Sequence, residues 1–196
     1  MATRRKSKGR KSNGNGGRNS RSTRTSNDGR RGDAIALLKA DHRQVESWFE
    51  QFKKSRSQAK KAELAESICN ALTLHAQIEE EIFYPAFLEA AGDKDLHHEA
   101  EVEHTGAKNL IWEIEQAGPE DEYFDARVNV LAEMVKHHVK EEEKRDGMFA
   151  KARQADMPLE EIGERLMQRK AELQGTMGDR MSQQRSARDS KHAVMR

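Results

Sequence analysis

Apolar residues recur along most of this chain at steps of three and four. Leu38, His42, Val45, Phe49 and Phe52 share one helical face and predict a helix over 33–55. A second, over 59–90, has the stripe Leu64, Ile68, Leu72, His75, Glu79 and Ile82, with Gly92 and Asp93 ending it. A third runs over 95–117, with Ala100, His104, Ala107, Ile111 and Ile114 in line, and Gly118-Pro119 stopping it. The fourth covers 121–152, with Phe124, Val128, Leu131, Val135, His138 and Glu142 on its stripe. A fifth, amphipathic helix is expected over 158–173, buried through Ile162, Leu166 and Leu173 and capped by Asp156. No β-run of useful length appears, and the links between the first four helices are short. The pattern predicts an all-α chain: an antiparallel up-down four-helix bundle with an additional C-terminal helix.

Charge divides the chain further. Residues 1–32 hold eleven Lys and Arg against one acid, Asp28, and contain nothing apolar between Ala2 and the end of the segment. Burial there cannot offset the entropy of ordering, so a disordered basic N-terminal arm is expected. Residues 175–196 carry five basic and two acidic residues and are expected to form a disordered tail; a formal total of +1 leaves the middle at −12. The resulting organisation is an arm over 1–32, a bundle over 33–153, a helix over 154–174 and a tail over 175–196. The single cysteine, Cys69, excludes an internal disulfide and a thiolate metal cluster. No apolar run approaches a membrane span, and no apolar leader stands at the N-terminus, so a cytoplasmic protein is expected.

The stripes themselves carry the chemistry. Each of the four main helices places one histidine on its apolar side: His42, His75, His104 and His138. Two add a glutamate four residues on, His75/Glu79 and His138/Glu142, which puts a nitrogen and an oxygen on one face about 5–6 Å apart at Cβ. Burying two carboxylates costs several kcal/mol each unless they are paired or bound to metal. Four helices around one axis can bring all six groups together, which points to bound cations. Imidazole with carboxylate suits iron, manganese or zinc.

In order, spacing and helical context these residues resemble the hemerythrin-type HHE cation-binding domain. The signature H…HxxxE…H…HxxxE is met by His42, HAQIE (75–79), His104 and HVKEE (138–142), set within LLKADH, EEEIFYP, EVEH and KHHVKEEE. The resemblance covers 33–153. It implies a non-haem di-iron centre bridged by oxo or hydroxo and carboxylate groups, with the four histidines as imidazole ligands and Glu79 and Glu142 as bridging carboxylates. Oxygen-carrying members use five histidines, including HxxxH on the third helix; here the positions flanking His104 are Ala100 and Lys108. Glu101, three residues before His104, is the candidate to fill that place. A carboxylate in place of a nitrogen should favour the ferric state. The expected role is therefore the binding or sensing of iron, oxygen, nitric oxide or peroxide. An enzyme reacting with peroxide or oxygen is one alternative. A module tethered to nucleic acid through residues 1–32 is the other. Of the remaining polar residues, His97, His98, Glu141 and Glu143 are expected in solvent, and His137 at the surface or behind the ligands. Tyr84 is expected in the core; Phe49, Phe83, Met148 and Phe149 are expected to be packing residues first, and to line a ligand pocket only where one opens beside them.

Overall fold

A computed structural model describes residues 32–194, which are all-α. Its helices are α1 (Ala34–Lys54), α2 (Gln58–Ile78), a single π-helical turn (Glu79–Phe83), α3 (Tyr84–Ala91), α4 (Lys94–Ala117), α5 (Phe124–Glu143), α6 (Met148–Gln154) and α7 (Leu159–Val194). The expected basic arm falls on residues outside those described, apart from Gly32.

Helix boundaries follow local chemistry. The Asp33 carboxylate accepts from the Ile35 N–H at 2.7 Å and caps α1. Ser57 caps α2 and Asp93 caps α4 in the same way. Gly92 (φ 65°) ends α3 in the left-handed region, where a side chain is disfavoured.

Two apolar clusters fill the bundle. One joins Leu38 of α1, Ile78, the π turn, Phe87 of α3, Ala100 of α4, and residues of α6 and α7. The other joins Val45 and Phe52 of α1, Leu64–Cys69 of α2, Ile111 and Ile114 of α4, and Phe124–Val139 of α5. The start of α1 thus lies with the end of α2, and the end of α1 with the start of α2, so the two run antiparallel. The same reasoning sets α4 alongside α1 in direction and α5 against α4. The up-down bundle expected from the sequence is what forms.

Three boundaries differ from expectation. The second helix does not run as a plain α-helix to residue 90. Pro85 has no N–H for the Glu81 carbonyl and its ring would strike it, so the chain widens into a π turn closed by the Tyr84 N–H on the Glu79 carbonyl. The fourth helix stops at Glu143 instead of continuing to 152. At Gly147 the chain folds back so closely that an added Cβ would lie 2.7 Å from the Glu142 carbonyl oxygen, and α6 starts only after it. The fifth helix does not end near Leu173 in a tail but continues to Val194; no proline follows Pro158, and Gly175 and Gly178 cost only about 1 kcal/mol each relative to alanine. Asp156 does not cap it: this residue takes a left-handed turn (φ 52°) between α6 and α7.

Helix α7 lies over α1, α2 and the π turn. It seals the first cluster with Ile162 and Leu166. Gly163 permits this approach, since a Cβ there would lie 2.8 Å from the Ala34 nitrogen.

Candidate metal centre

Between the two apolar clusters lies one polar layer. His42 (α1), His75 (α2), Glu79 (first residue of the π turn), His104 (α4), and His138 and Glu142 (α5) are all buried, with exposures from 0% to 7%. The structure therefore brings six of the seven expected residues to one place.

Their geometry is paired. The Nε2 atoms of His42 and His75 face each other at 3.0 Å, and those of His104 and His138 at 3.3 Å. Glu79 spans the pairs: its Oε2 lies 3.2 Å from His75 Nε2 and 3.4 Å from His104 Nε2. Glu142 spans them from the other side, with Oε2 3.4 Å from His42 Nε2 and Oε1 3.6 Å from His138 Nε2. Two triads suited to a cation result, His42/His75/Glu79 and Glu79/His104/His138, with Glu79 common to both.

The Tyr84 hydroxyl joins this layer. It lies 3.1 Å from His104 Nε2 and donates towards Glu142 Oε1 (3.2 Å) and Glu79 Oε2 (3.4 Å). On a regular α-helix at about 100° per residue, Tyr84 would point about 140° away from Glu79. The π turn brings it back onto the seam.

The outward nitrogens are held as consistently as the inward ones. His42 Nδ1 meets Glu143 (2.9 Å), His75 Nδ1 meets Asp41 (3.4 Å), His104 Nδ1 meets Glu80 (3.0 Å) and His138 Nδ1 meets Glu103 (2.8 Å). An Nδ1–H donated to a carboxylate leaves the Nε2 lone pair pointing inward and raises its basicity.

Electrostatics show how tightly these charges interact. Burial lowers His42 to about 4, aided by His75 beside it. Burial also works against charge on His75, but Glu79 and Asp41 hold it up at about 10. His104 is likewise opposed by burial and raised to about 9 by Glu79 and Glu80. Burial and the Glu79 charge push Glu142 up to about 7. Glu79 is held well below the usual carboxylate range: burial opposes this, and His75 and His104 override it. Burial, with Glu79 and Glu142, keeps the Tyr84 phenol protonated far above its ordinary range.

The layer fits cations on three counts. Four imidazoles aim their Nε2 atoms into one layer, and without metal His75 and His104 hold protons there that a bound cation would replace. Two nitrogens about 2.1 Å from one ion and at right angles would stand about 3.0 Å apart, close to the spacing within both pairs. Glu79 Oε1 and Glu142 Oε2 are buried without a hydrogen-bond partner, a costly state that a cation relieves.

Several expectations are corrected. Glu101 is not brought to the layer: it is 54% exposed and pairs with His97 at 3.7 Å. The place next to His104 is filled by the Tyr84 hydroxyl. His97 is half-buried rather than exposed and packs edge-on against the Tyr84 ring at 6.0 Å, while His98 lies in solvent as expected. Glu143 is bound to His42, Lys39 and Arg43, and Glu141 pairs with Lys144. His137 is at the surface, 3.3 Å from Glu103, and with Glu99 forms a third, exposed group of acids and imidazole.

A cavity of about 40 Å³ opens on the second-cluster side of the layer. All four histidines line it, together with Val45, Leu72, Ile111, Val135 and Val139. Phe49, Phe83, Met148 and Phe149 do not: the last three sit on the far side of the layer, where Phe149 stacks on His42.

Comparison with known proteins agrees with this geometry. A family described as hemerythrin HHE cation binding domain matches residues 33–150. A solved structure, that of a hemerythrin HHE cation binding domain-containing protein from Mycobacterium kansasii, superposes with a TM-score of 0.61 at 24% identity, over 74% of this chain and 88% of that one. A DNA nickase from Nostoc is 33% identical over 107 residues, 55% of this chain; the chain spans only 30% of that protein's length.

Proposed function

Since this chain belongs to the hemerythrin HHE cation binding domain family and so binds cations through its bundle, we propose that it carries two non-haem irons with which it binds or senses dioxygen, nitric oxide or peroxide. One iron would be held by His42 and His75, the other by His104 and His138. Glu79 and Glu142 would span them, with the protonated Tyr84 hydroxyl held beside both carboxylates. The observation that carries this reading is the position of Glu79, shared between two triads. Six donor side chains, two of them hard carboxylates, exceed what one tetrahedral zinc takes and suit iron or manganese. Bound iron would supply one-electron chemistry and open positions for a small ligand.

The chain's own residues set what reaches that ligand. A cavity of about 40 Å³ exceeds the roughly 10–15 Å³ a single water needs and suits a molecule of two or three heavy atoms. Its walls are largely aliphatic, with Asp41, Glu103 and Lys108 at the edge, and on the other side of the layer Tyr84 holds a proton beside His104 and Glu142. That proton favours a second reading, an enzyme that turns over peroxide. Iron-loaded protein cycled between air and argon and then given nitric oxide or peroxide discriminates between them: a reversible dioxygen binder returns its starting spectrum under argon, a sensor changes its spectrum stoichiometrically with the ligand added, whereas an enzyme consumes added peroxide at a rate that Tyr84→Phe reduces. Protein showing none of these responses, with iron bound, contradicts both.

Residues 1–32, with their eleven cations, and the DNA nickase relative motivate a separate proposal, contact with nucleic acid. Affinity for duplex DNA should then fall steeply between two salt concentrations and disappear when 1–32 are deleted. Salt-independent or undiminished binding would contradict it.

A further inference from the structure

Each imidazole of the centre is backed by a carboxylate, and behind each carboxylate stands a cationic or imidazole side chain. Lys39 and Arg43 stand behind Glu143, Lys108 behind Glu80, and His137 behind Glu103. These supports come from α1, α4 and α5, all within the family-matched residues 33–150. The fourth does not. Asp41, the partner of His75, is gripped on both oxygens by Lys170 Nζ at 2.5 and 2.6 Å, and Lys170 belongs to α7. Its neighbour Arg169 reaches Glu81 in the π turn at 2.6 Å, just past the end of α2, the helix that holds His75. Leu166 and Ile162, buried one and two turns earlier, fix the register of α7 against the bundle.

We propose that α7 is a working part of the metal centre and that Lys170 is a positioning residue for His75. This rests on the two-iron reading above and adds to it a support from outside the matched domain. Asp41 to His75 is the longest of the four outward contacts, at 3.4 Å, so its geometry depends most on what anchors Asp41. Asp41 keeps 20% of its side chain exposed even with Lys170 in place, so without that anchor it can turn into solvent. Lys170 fixes it, Asp41 fixes the His75 ring, and Nε2 stays aimed at the iron shared with His42. Of the four backing carboxylates Lys170 grips Asp41, whereas Glu143, Glu80 and Glu103 keep their own partners, Lys39 and Arg43, Lys108 and His137.

The contrary view is that Lys170–Asp41 is a surface strap worth little to anything but docking. Metal release separates the two. Full-length protein is loaded with ferrous iron without oxygen, mixed with excess EDTA, and the release of iron is timed; melting of the stripped protein is recorded in parallel. Loss of an outer partner of a ligand typically weakens metal binding about 10–100-fold. Lys170→Met is expected to speed loss of one of the two irons about tenfold while the other leaves at the wild-type rate. Asp41→Asn should do the same, Lys170→Arg should restore retention, and the stripped variants should melt with the wild type. Release from Lys170→Met indistinguishable from wild type overturns the proposal. So does equal acceleration of both irons with a lowered melting temperature, which marks a strap alone. A wild-type chain that holds no iron instead overturns the two-iron reading itself.

Discussion

Glu79→Gln is expected to empty the centre while leaving the bundle folded. Glu79 is fully buried and is the one residue common to both triads, so each cation loses a ligand in a single substitution. The amide keeps the volume and the hydrogen bonds to His75 and His104, but brings no negative charge to a cluster of four imidazoles. Outer-shell losses alone cost about 10–100-fold in metal affinity, and loss of a shared ligand should exceed that range. Measured by metal analysis after desalting, the variant should hold less than about half an ion per chain where the wild type holds about two, with an unchanged helical circular dichroism spectrum. Glu101→Gln is the control. It is exposed and, among the described residues, its carboxylate pairs with His97 alone, so its metal content should match the wild type. Full retention by Glu79→Gln would show that the carboxylate is not a ligand.

Removing the metal should destabilise the whole bundle. The layer stacks four imidazoles and two carboxylates between apolar clusters, with two carboxylate oxygens lacking partners. A cation bound a thousand-fold above its Kd stabilises the native state by about 4 kcal/mol. For a chain of this size each kcal/mol moves Tm by about 2–4 °C. EDTA treatment should therefore lower Tm by roughly 8–16 °C for each tightly held ion, and added ferrous iron should reverse the change. Calorimetry in which stripped and loaded protein melt together would contradict a cation at this layer.

The bundle and six of its inward groups were legible because helix periodicity is unforgiving. His75/Glu79 and His138/Glu142 at i,i+4 on apolar stripes have only one side to face. What escaped was where the chain leaves that period. Pro85 forces the π turn that carries Tyr84 into the layer, and Gly147 marks the fold-back that ends α5 at Glu143. Both residues were visible, but the continuous stripe on either side of them argued for unbroken helices. Glu101 looked suited to a vacancy beside His104 that the re-aimed Tyr84 already fills.

The outer carboxylates follow a rule that only the packed helices reveal. Each acid sits next to one ligand in sequence yet supports a different ligand across the bundle. Asp41, beside His42, backs His75; Glu80, beside Glu79, backs His104. Glu103, beside His104, backs His138; Glu143, beside Glu142, backs His42. The adjacent acids DH (41–42), EE (79–80), EH (103–104) and EE (142–143) carry that signal, but on one helix such neighbours point about 100° apart and appear solvated. The role of α7 was hidden for a related reason: Lys170 lies 129 residues from Asp41, and no periodicity links them.

The decisive measurement is anomalous diffraction at the iron edge from crystals of the iron-loaded full chain. The account predicts two peaks inside the bundle, one between His42 and His75, the other between His104 and His138, with Glu79 reaching both. A single peak, or density confined to surface groups such as Glu99, Glu103 and His137, would contradict it.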